Sequence, residues 1–261
     1  MNQSERRQFL IRELMKENPE YEHMQIPAQT DEQRQLLRGM MNIRRPRMIA
    51  PDFLAVQDEY LQEENARKGL VDVKSLPEIR KGISVWQGDI TTLKCDAIVN
   101  AANSGMTGCY VPNHRCIDNC IHSYAGIQLR LECAELMKKQ GYEEPTGRAK
   151  ITKGYNLPSR YVIHTVGPII YDHVRKKDEE LLSDCYRSCL ELAAKNSLES
   201  IAFCCISTGE FRFPNQRAAE IAVQTVDEFM QKESSIKKVV FNVFKQKDYD
   251  IYKRLLVLLT S

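Results

Sequence analysis

Asp96-Ala-Ile-Val-Asn-Ala-Ala-Asn103-Ser-Gly105 is the stretch of this chain that decides its fold. It reads as a short apolar strand that ends in a turn of asparagine, serine and glycine. A continuous apolar run of this length is typical of a strand that is buried on both faces of its sheet. The stretch therefore predicts a buried strand with polar side chains just beyond its carboxyl end.

Further strands and helices alternate around this stretch, from residue 82 to the end of the chain. Strands are predicted at Ile83–Gln87, Ala97–Ala101, Ala149–Thr152, Tyr161–Val166, Ser200–Ser207 and Lys237–Phe244. Helices are predicted at Cys116–Gln140, Leu181–Lys195, Pro214–Gln231 and Tyr249–Leu259. Apolar strands separated by amphipathic helices indicate an α/β fold with a mixed sheet that is covered on both faces. In such sheets ligands bind beyond the carboxyl ends of the strands.

The first 80 residues have a different character. Residues 4–68 are highly charged, and apolar residues among them lie at helical spacing, as Phe9, Leu10 and Leu14 do. Prolines separate three predicted helices, the last of them over Phe53–Arg67. We expect residues 1–80 to form a helical N-terminal extension that packs on a main domain of residues 81–261.

Composition and charge restrict the functional classes. The chain has 261 residues, of which 43% are hydrophobic and 28% charged, so it can bury a globular core. Its net charge of +2 favours neither nucleic-acid binding nor a membrane surface. No apolar run approaches the ~20 residues of a membrane span, and the N-terminus lacks a signal-peptide pattern. Because nine irregularly spaced cysteines also fit reduced thiols, we expect a cytoplasmic protein.

The loop that follows the asparagine turn carries a cluster of metal-binding residue types. It reads Cys109-Tyr-Val-Pro-Asn-His114-Arg-Cys116, which gives the spacing C-x4-H-x-C. Sulfur and nitrogen ligands in one loop suit zinc, and three protein ligands leave a coordination position open, as catalytic zinc sites do. The spacing differs from the common C-x2-C pattern, so three unrelated residues in a tight loop are the alternative. His122 also has the chemistry of a ligand.

Two loops after strand ends have the composition of phosphate-binding loops. The first is Asn100–Gly105, and the second is Ser207-Thr-Gly-Glu-Phe-Arg-Phe-Pro214, directly before a helix. Backbone N–H groups converge at such a turn, and the helix dipole favours an anion there. A turn of this kind can also be a simple helix cap. The presence of two such loops beside a candidate metal loop favours a functional site.

Four ordered motifs over about residues 82–257 resemble those of macrodomains. They are Trp86-Gln-Gly-Asp-Ile-Thr91, Asp96-Ala-Ile-Val-Asn-Ala-Ala-Asn103-Ser104, His164-Thr-Val-Gly-Pro168 and Ser207-Thr-Gly-Glu-Phe211. The resemblance implies a three-layer α/β/α fold that binds ADP-ribose, and the MacroD type of this family removes ADP-ribose from modified proteins. The metal loop and the helical extension are similar to those of zinc-containing bacterial macrodomains. In that group the loop binds one zinc ion, and its ligands fall here on Cys109, His114 and Cys116.

The resemblance also implies roles for individual residues. Asp118 would position or activate water, although an ordinary acid in a first helical turn is its plainer role. Asn103 would contact the distal ribose and act in catalysis, although asparagine also suits the turn itself. Asp89, followed by Ile90, would accept a hydrogen bond from the adenine amino group, whereas capping a strand end is its plainer role. Further ligand contacts are expected from Ser207, Thr208, Gly209, Glu210, Phe211, Phe213 and Phe244.

Arg212 departs from the family pattern, because that position of the second loop is often glycine. A glycine there lets the backbone approach the phosphates closely or adopt a positive φ. An arginine would either strain the loop or place its guanidinium on a phosphate. The sequence leaves both outcomes open.

Taken together, the resemblance implies a zinc-dependent hydrolase that removes mono-ADP-ribose from modified protein side chains. A non-catalytic ADP-ribose-binding (reader) module with a structural zinc is the alternative, and a hydrolase of a free nucleotide sugar is a third possibility. Related zinc macrodomains imply a sirtuin-type transferase and a lipoyl-carrier protein as partners, besides ADP-ribose and the modified protein. Neither nucleic acid nor a membrane is expected as a partner.

Overall fold

A computed structural model describes residues 1–21 and 23–259 of the chain. Within these residues the α-helices are α1 (Gln3–Lys16), α2 (Thr30–Ile43), α3 (Pro51–Arg67), α4 (Ile117–Ala125), α5 (Ile127–Gln140), α6 (Lys176–Lys195), α7 (Asn215–Met230) and α8 (Gln246–Leu258). The strands are β1 (Val71–Asp72), β2 (Ile83–Gln87), β3 (Leu93–Lys94), β4 (Ala97–Ala102), β5 (Ala149–Lys153), β6 (Tyr161–Val166), β7 (Ser200–Phe203) and β8 (Lys238–Val243).

The central sheet of the described chain contains six strands in the order β2-β8-β7-β4-β6-β5. Neighbouring strands are parallel except for the edge strand β5, which runs antiparallel to β6. The strand predicted from Asp96–Gly105 is β4, which lies between β7 and β6. Ala97 pairs with Ile201 on one side and with Tyr161 on the other. The predicted mixed sheet is confirmed.

Helices cover both faces of this sheet. The helices α6, α7 and α8 pack side by side, whereas α4 and α5 pack together with α2 and α3 of the extension nearby. The segment α4–α5 connects β4 to the strands at one edge of the sheet, and α6 connects β6 back to β7 on the other side of β4. Because such crossovers are right-handed, α4–α5 and α6 lie on opposite faces of the sheet. The predicted three-layer α/β/α architecture is confirmed. None of the described helices has both the length and the apolar character needed to cross a bilayer.

Two hydrophobic clusters stabilise the molecule. The larger one surrounds the sheet and buries aromatic residues such as Tyr186, Phe203 and Phe241. The smaller one joins the inner faces of α1, α2 and α3, and Ile127 of α5 contributes to it. The strand β1 lies before residue 80 and pairs with β3, which lies after it. This two-stranded sheet therefore also connects the N-terminal extension to the main domain. The boundary between residues 80 and 81 stays a prediction.

The prediction of a single helix over Cys116–Gln140 is wrong, because the chain forms two helices that meet at Gly126. This residue has φ +101°, a conformation that glycine adopts far more readily than other residues. A Cβ atom at Gly126 would lie 2.7 Å from side-chain atoms of both Gln57 and Gln128. The break ends α4 after nine residues, so the helix that carries Asp118 is short and independent of α5.

Candidate functional site

Polar loops from four strands meet at one edge of the sheet. Asn103 directly follows β4, Ser207 comes four residues after β7, Asp89 comes two after β2, and Phe244 directly follows β8. These four strands are parallel, so their carboxyl ends lie at the same edge. The fold therefore brings the predicted ligand-binding loops together.

The three predicted metal ligands lie next to one another in the loop of residues 109–116, which we call the metal loop. The ligand atoms of Cys109, His114 and Cys116 all lie within 4.8 Å of one another, and Cys109 Sγ is 3.4 Å from His114 Nδ1. Zinc bonds of about 2.3 Å to sulfur and about 2.0 Å to nitrogen in tetrahedral geometry separate the two atoms by roughly 3.5 Å. All three residues are half-buried. The donor set and its spacing fit zinc.

The surroundings of the metal loop match the needs of such a ligand set. Burial raises the pKa of the Cys116 thiol to about 12, while the backbone N–H of Asn119, 3.4 Å from its sulfur, acts in the opposite direction. A coordinating metal ion deprotonates such a thiol. On the other side, His114 Nε2 faces Glu210 Oε1 at 3.7 Å. A carboxylate behind a ligating histidine orients the imidazole ring.

Asp118 lies in the first turn of α4, directly after the metal loop, and is only 5% exposed. Asn100 Nδ2 donates a hydrogen bond to its Oδ1 at 2.8 Å, and Asn103 Nδ2 reaches its Oδ2 at 3.5 Å. Burial raises the pKa of Asp118 to about 6, although the Asn100 hydrogen bond and the charge of Arg130 both lower it. A buried carboxyl group whose pKa lies near neutrality is suited to proton transfer.

A buried histidine, His164, supports this carboxyl group through Asn100, a contact that the His164–Pro168 motif did not reveal. His164 Nδ1 lies 3.1 Å from Asn100 Nδ2, and His164 Nε2 lies 2.8 Å from Thr152 Oγ1. Burial lowers the pKa of His164 to about 3, so the imidazole is neutral at pH 7 and accepts from Asn100 through Nδ1. The sequence showed His164 as the first residue of a motif at the end of a predicted strand, without indicating its role.

His122, which had the chemistry of a further ligand, lies outside the metal-loop cluster. Its Nε2 atom is 3.5 Å from Asp118 Oδ1, and burial lowers its pKa well below the usual value. It forms a second group with Cys133 and His164, whose ligand atoms also lie within 4.8 Å of one another. Both nitrogens of His164 have hydrogen-bonding neighbours, whereas neither ring nitrogen of the buried His122 has a hydrogen-bond partner among the described residues.

The loop from residue 207 to 214 contains two non-glycine residues at positive φ. Ser207 has φ +64° and Arg212 has φ +59°, a conformation that costs such residues about 1–2 kcal/mol. Arg212 N donates to Gly209 O at 3.0 Å, which closes the turn. Of the two outcomes left open by the sequence, backbone strain at Arg212 is therefore present. Strain of this kind is often retained at ligand-binding sites.

The same loop offers backbone donors at its tip. Thr208 N and Phe213 N are used within the loop, donating to Cys205 O at 3.3 Å and to Ser207 O at 2.9 Å. The N–H groups of residues 209–211 donate to no acceptor within residues 1–21 and 23–259. Three consecutive free N–H groups before the N-terminus of α7 suit an anion such as a pyrophosphate.

The side chain of Asp89 caps the short helical turn Ile90–Thr92 and also forms an ion pair with Lys68. Its Oδ1 atom accepts hydrogen bonds from Thr91 N at 3.0 Å and Thr91 Oγ1 at 2.6 Å, and its Oδ2 atom lies 3.3 Å from Lys68 Nζ. The side chain remains 41% exposed, so it can still accept a hydrogen bond from a ligand. Ile90 is only 1% exposed, which leaves its backbone as the part that can reach a ligand. The adenine contact stays a prediction.

The comparisons with known proteins agree with this fold. The sequence pattern of the Macro domain family matches residues 99–222. The chain is 57% identical over 260 residues to a protein-ADP-ribose hydrolase of Treponema medium. The match covers 98% of this chain and 100% of that protein. The chain belongs to the macrodomain family. This macrodomain is also 50% identical over 250 residues to a protein-ADP-ribose hydrolase of Staphylococcus aureus, covering 95% of this chain and 94% of the relative.

Among solved structures, this macrodomain is similar to a mutant Oceanobacillus iheyensis macrodomain with ADPR. The TM-score is 0.64 at 40% sequence identity, and the match covers 70% of this chain and 97% of the other. Because the match spans nearly all of the shorter protein, the rest of this chain is additional to that fold.

The aromatic residues of the site differ from one another in exposure. Phe244 is 78% exposed and free to stack on a ligand, whereas Phe213 is 1% exposed and packs in the larger core. Little of Phe213 is therefore accessible to a ligand, and its predicted ligand contact stays a prediction. Phe211 is half-buried and packs near Met106. In the loop of residues 207–214 it is the phenylalanine that reaches the surface of the macrodomain.

Proposed function

We propose that this macrodomain is a zinc-dependent hydrolase that removes mono-ADP-ribose from modified protein side chains. The observation that carries the proposal is the buried Asp118, which lies two residues after Cys116 and within reach of Asn103. The relatives called protein-ADP-ribose hydrolase support the reaction class. The solved macrodomain with ADPR supports the ligand.

The bond to be broken is the glycosidic bond between the distal ribose and the protein side chain. The free N–H groups of residues 209–211 would bind the pyrophosphate, and Asn103 would contact the distal ribose. As water attacks the anomeric carbon and the glycosidic bond breaks, Asp118 would accept the proton of the water, and the leaving side chain would take up a proton from solvent. The transition state resembles an oxocarbenium ion, as in glycoside hydrolysis generally. Asn100 would hold the reacting carboxylate in place through its hydrogen bond to Oδ1.

Cys109, His114 and Cys116 would hold the zinc ion, which when bound supplies Lewis acidity that the two thiolates moderate. Glu210 would keep the His114 ring oriented from the phosphate loop. Asn119 would fix the Cys116 sulfur through its backbone N–H. A sirtuin-type transferase and a lipoyl-carrier protein remain the proposed partners, on the resemblance to zinc macrodomains alone.

The test measures zinc content and release of ADP-ribose from a mono-ADP-ribosylated protein, with and without a chelator. We expect about one zinc per chain, and loss of turnover on metal removal with the circular dichroism spectrum retained, because the larger core does not include the metal loop. Cys109→Ala and Cys116→Ala should lose zinc. Cys95→Ala is the matched control, since this cysteine precedes β4 at the opposite end of the strand.

Three outcomes would contradict parts of the proposal. Full zinc retention in both loop variants would remove the ligand assignment. Tight binding of ADP-ribose without turnover on any modified protein would favour the reader alternative. Loss of the fold on metal removal would make the zinc structural.

A further inference from the structure

The second helix of the N-terminal extension, α2, contacts the metal loop directly. Arg38, Gly39 and Asn42 occupy positions i, i+1 and i+4 and therefore lie on one side of the helix, while Arg45 follows two residues after its end. We call Arg38, Gly39 and Asn42 the loop-facing side of α2.

Arg38 reaches the backbone of a predicted metal ligand. Its Nη2 atom donates to His114 O at 2.8 Å and to Asn119 Oδ1 at 2.9 Å. Asn119 is fully buried, and its Nδ2 atom in turn donates to Val111 O at 3.0 Å and to Cys109 O at 3.4 Å. One guanidinium therefore connects α2 to both ends of the ligand loop.

Asn42 holds the most unusual backbone position of the loop. Asn113 has φ +54°, and its N–H donates to Asn42 Oδ1 at 2.9 Å. Asn42 is 1% exposed, and its Nδ2 atom donates to Ser123 Oγ of α4 at 2.8 Å. Gly39 also lies close to the loop, because a Cβ atom there would be 3.2 Å from Asn113 Nδ2, at the end of an exposed side chain. The side chain of Asn42 thus fixes the loop and α4 at the same time.

Tyr110 gives the loop a third connection. Its ring lies between two guanidinium groups, with Arg45 Cζ at 4.5 Å and Arg130 Cζ at 4.4 Å from the ring centroid. Arg130 also donates to the carbonyl oxygens of Asn42 at 2.6 Å and Arg44 at 2.7 Å, at the C-terminal end of α2. The end of α2 and the metal loop therefore share one buried cation.

We propose that the loop-facing side of α2 is part of the metal site, with Arg38 and Asn42 as positioning residues that set the geometry of His114 and its loop. The inference rests on the proposed function, because it needs the loop to bind zinc. Residues behind the ligands of a metal site commonly change metal affinity by roughly 10- to 100-fold when they are replaced. The extension would then be required for metal retention and not only for stability.

The experiment first measures the zinc content of the wild type and then the rate of zinc release to an excess of a colorimetric chelator. Arg38→Met and Asn42→Ala should release zinc roughly 10- to 100-fold faster than the wild type. Arg38→Lys, which keeps one charged donor, should lie between. Arg34→Met is the control, because Arg34 lies on the same helix but pairs with Asp31 and Glu64.

Melting temperatures of the metal-free proteins separate positioning from general stability. We expect the metal-free melting temperature of Arg38→Met and Arg34→Met to change by similar small amounts, while only the former releases zinc faster. A zinc-bearing wild type with equal release rates in all variants would overturn this inference alone. A wild type that binds no zinc would overturn the proposed metal function and this inference with it.

Discussion

At the scale of single residues, Asp118 shows how local environment selects one carboxyl group out of many. The chain has 35 acidic residues, but Asp118 combines burial, a raised pKa and contacts to two asparagines beside the metal loop. Burial alone would penalise its charged form, and the hydrogen bond from Asn100 partly offsets that penalty. The balance leaves a carboxyl group able to change protonation near neutral pH.

Replacing this carboxyl group should separate chemistry from binding. Asp118→Asn preserves size and can still accept from Asn100, but an amide cannot take a proton from water. We expect turnover to fall by roughly two to four orders of magnitude, the usual size of a general acid–base contribution. Affinity for ADP-ribose should stay within a fewfold, because the phosphate loop is unchanged. Single-turnover release and calorimetric binding check this, and an equally active variant would move proton transfer away from Asp118.

Asp89 offers a second residue-scale prediction. Asp89→Ala should weaken ADP-ribose binding by about 1.5–3 kcal/mol, the loss of a hydrogen bond to a charged acceptor. Asp89→Asn keeps an oxygen for the Thr91 N–H and so preserves the cap, but it loses the carboxylate that Lys68 pairs with. Calorimetry on both variants checks the role. Wild-type affinity in Asp89→Asn together with weak binding in Asp89→Ala would show that Asp89 acts only as a cap.

The site residues that could be predicted from the sequence are those whose partners are close to them in the chain. Cys109, His114 and Cys116 fall within eight positions, so their spacing alone indicated a shared site. The contact between Asn100 and His164 spans 64 residues and depends on the register of β4 against β6. No local pattern contains that register, so the contact of His164 with Asn100 became visible only in the folded chain.

At the scale of elements, the break between α4 and α5 was hidden by continuous helical periodicity. An isolated glycine lowers helix stability by only about 1 kcal/mol, so Gly126 gave a weak indication. The two helices separate because Gln57 of the extension donates to Gln128 Oε1 at 2.7 Å and accepts from Ile127 N at 3.0 Å at that position. A tertiary contact therefore decides a boundary that local preference left open.

Gly126→Ala should be more destabilising than an ordinary change of glycine to alanine. The conformation at φ +101° and ψ 171° is nearly exclusive to glycine, and forcing another residue into it costs about 1–3 kcal/mol. The new Cβ atom would also disturb the Gln57–Gln128 hydrogen bond. Gly141→Ala is the control: it has φ +79° but open space around a Cβ atom. Urea unfolding compares them, and equal losses would show that the Gln57 contact has no influence.

At the scale of the whole molecule, the site is assembled from parts that are far apart in sequence. The sheet places four loops at one edge, which follows from parallel strand order and could be predicted. The contact of Arg38 with His114 joins residues 76 positions apart and depends on how α2 packs on α4. Periodicity predicted the helices of the extension, but the surface that they cover depends on side-chain geometry that periodicity does not encode.

The buried imidazoles make global stability depend on pH in a defined direction. His164 has a pKa of about 3 in the folded chain and about 6.5 when unfolded, so the unfolded chain binds more protons between these values. The folded state therefore loses stability as pH falls through that window, by about 1.4 kcal/mol per pH unit. The raised pKa of Asp118 acts in the opposite direction between about pH 4 and 6, so the net slope of the wild type alone does not isolate His164.

The difference between wild type and His164→Gln isolates this contribution. Glutamine does not titrate, so the free energy of unfolding of the variant should fall less steeply between pH 6 and 4, by about 1.4 kcal/mol per pH unit. His173→Gln is the control, because His173 is exposed in a loop. Both variants are measured by urea unfolding without metal, so that protons do not compete with zinc for the loop. Parallel curves for wild type and His164→Gln would mean that His164 takes up a proton in the folded state as readily as in the unfolded chain.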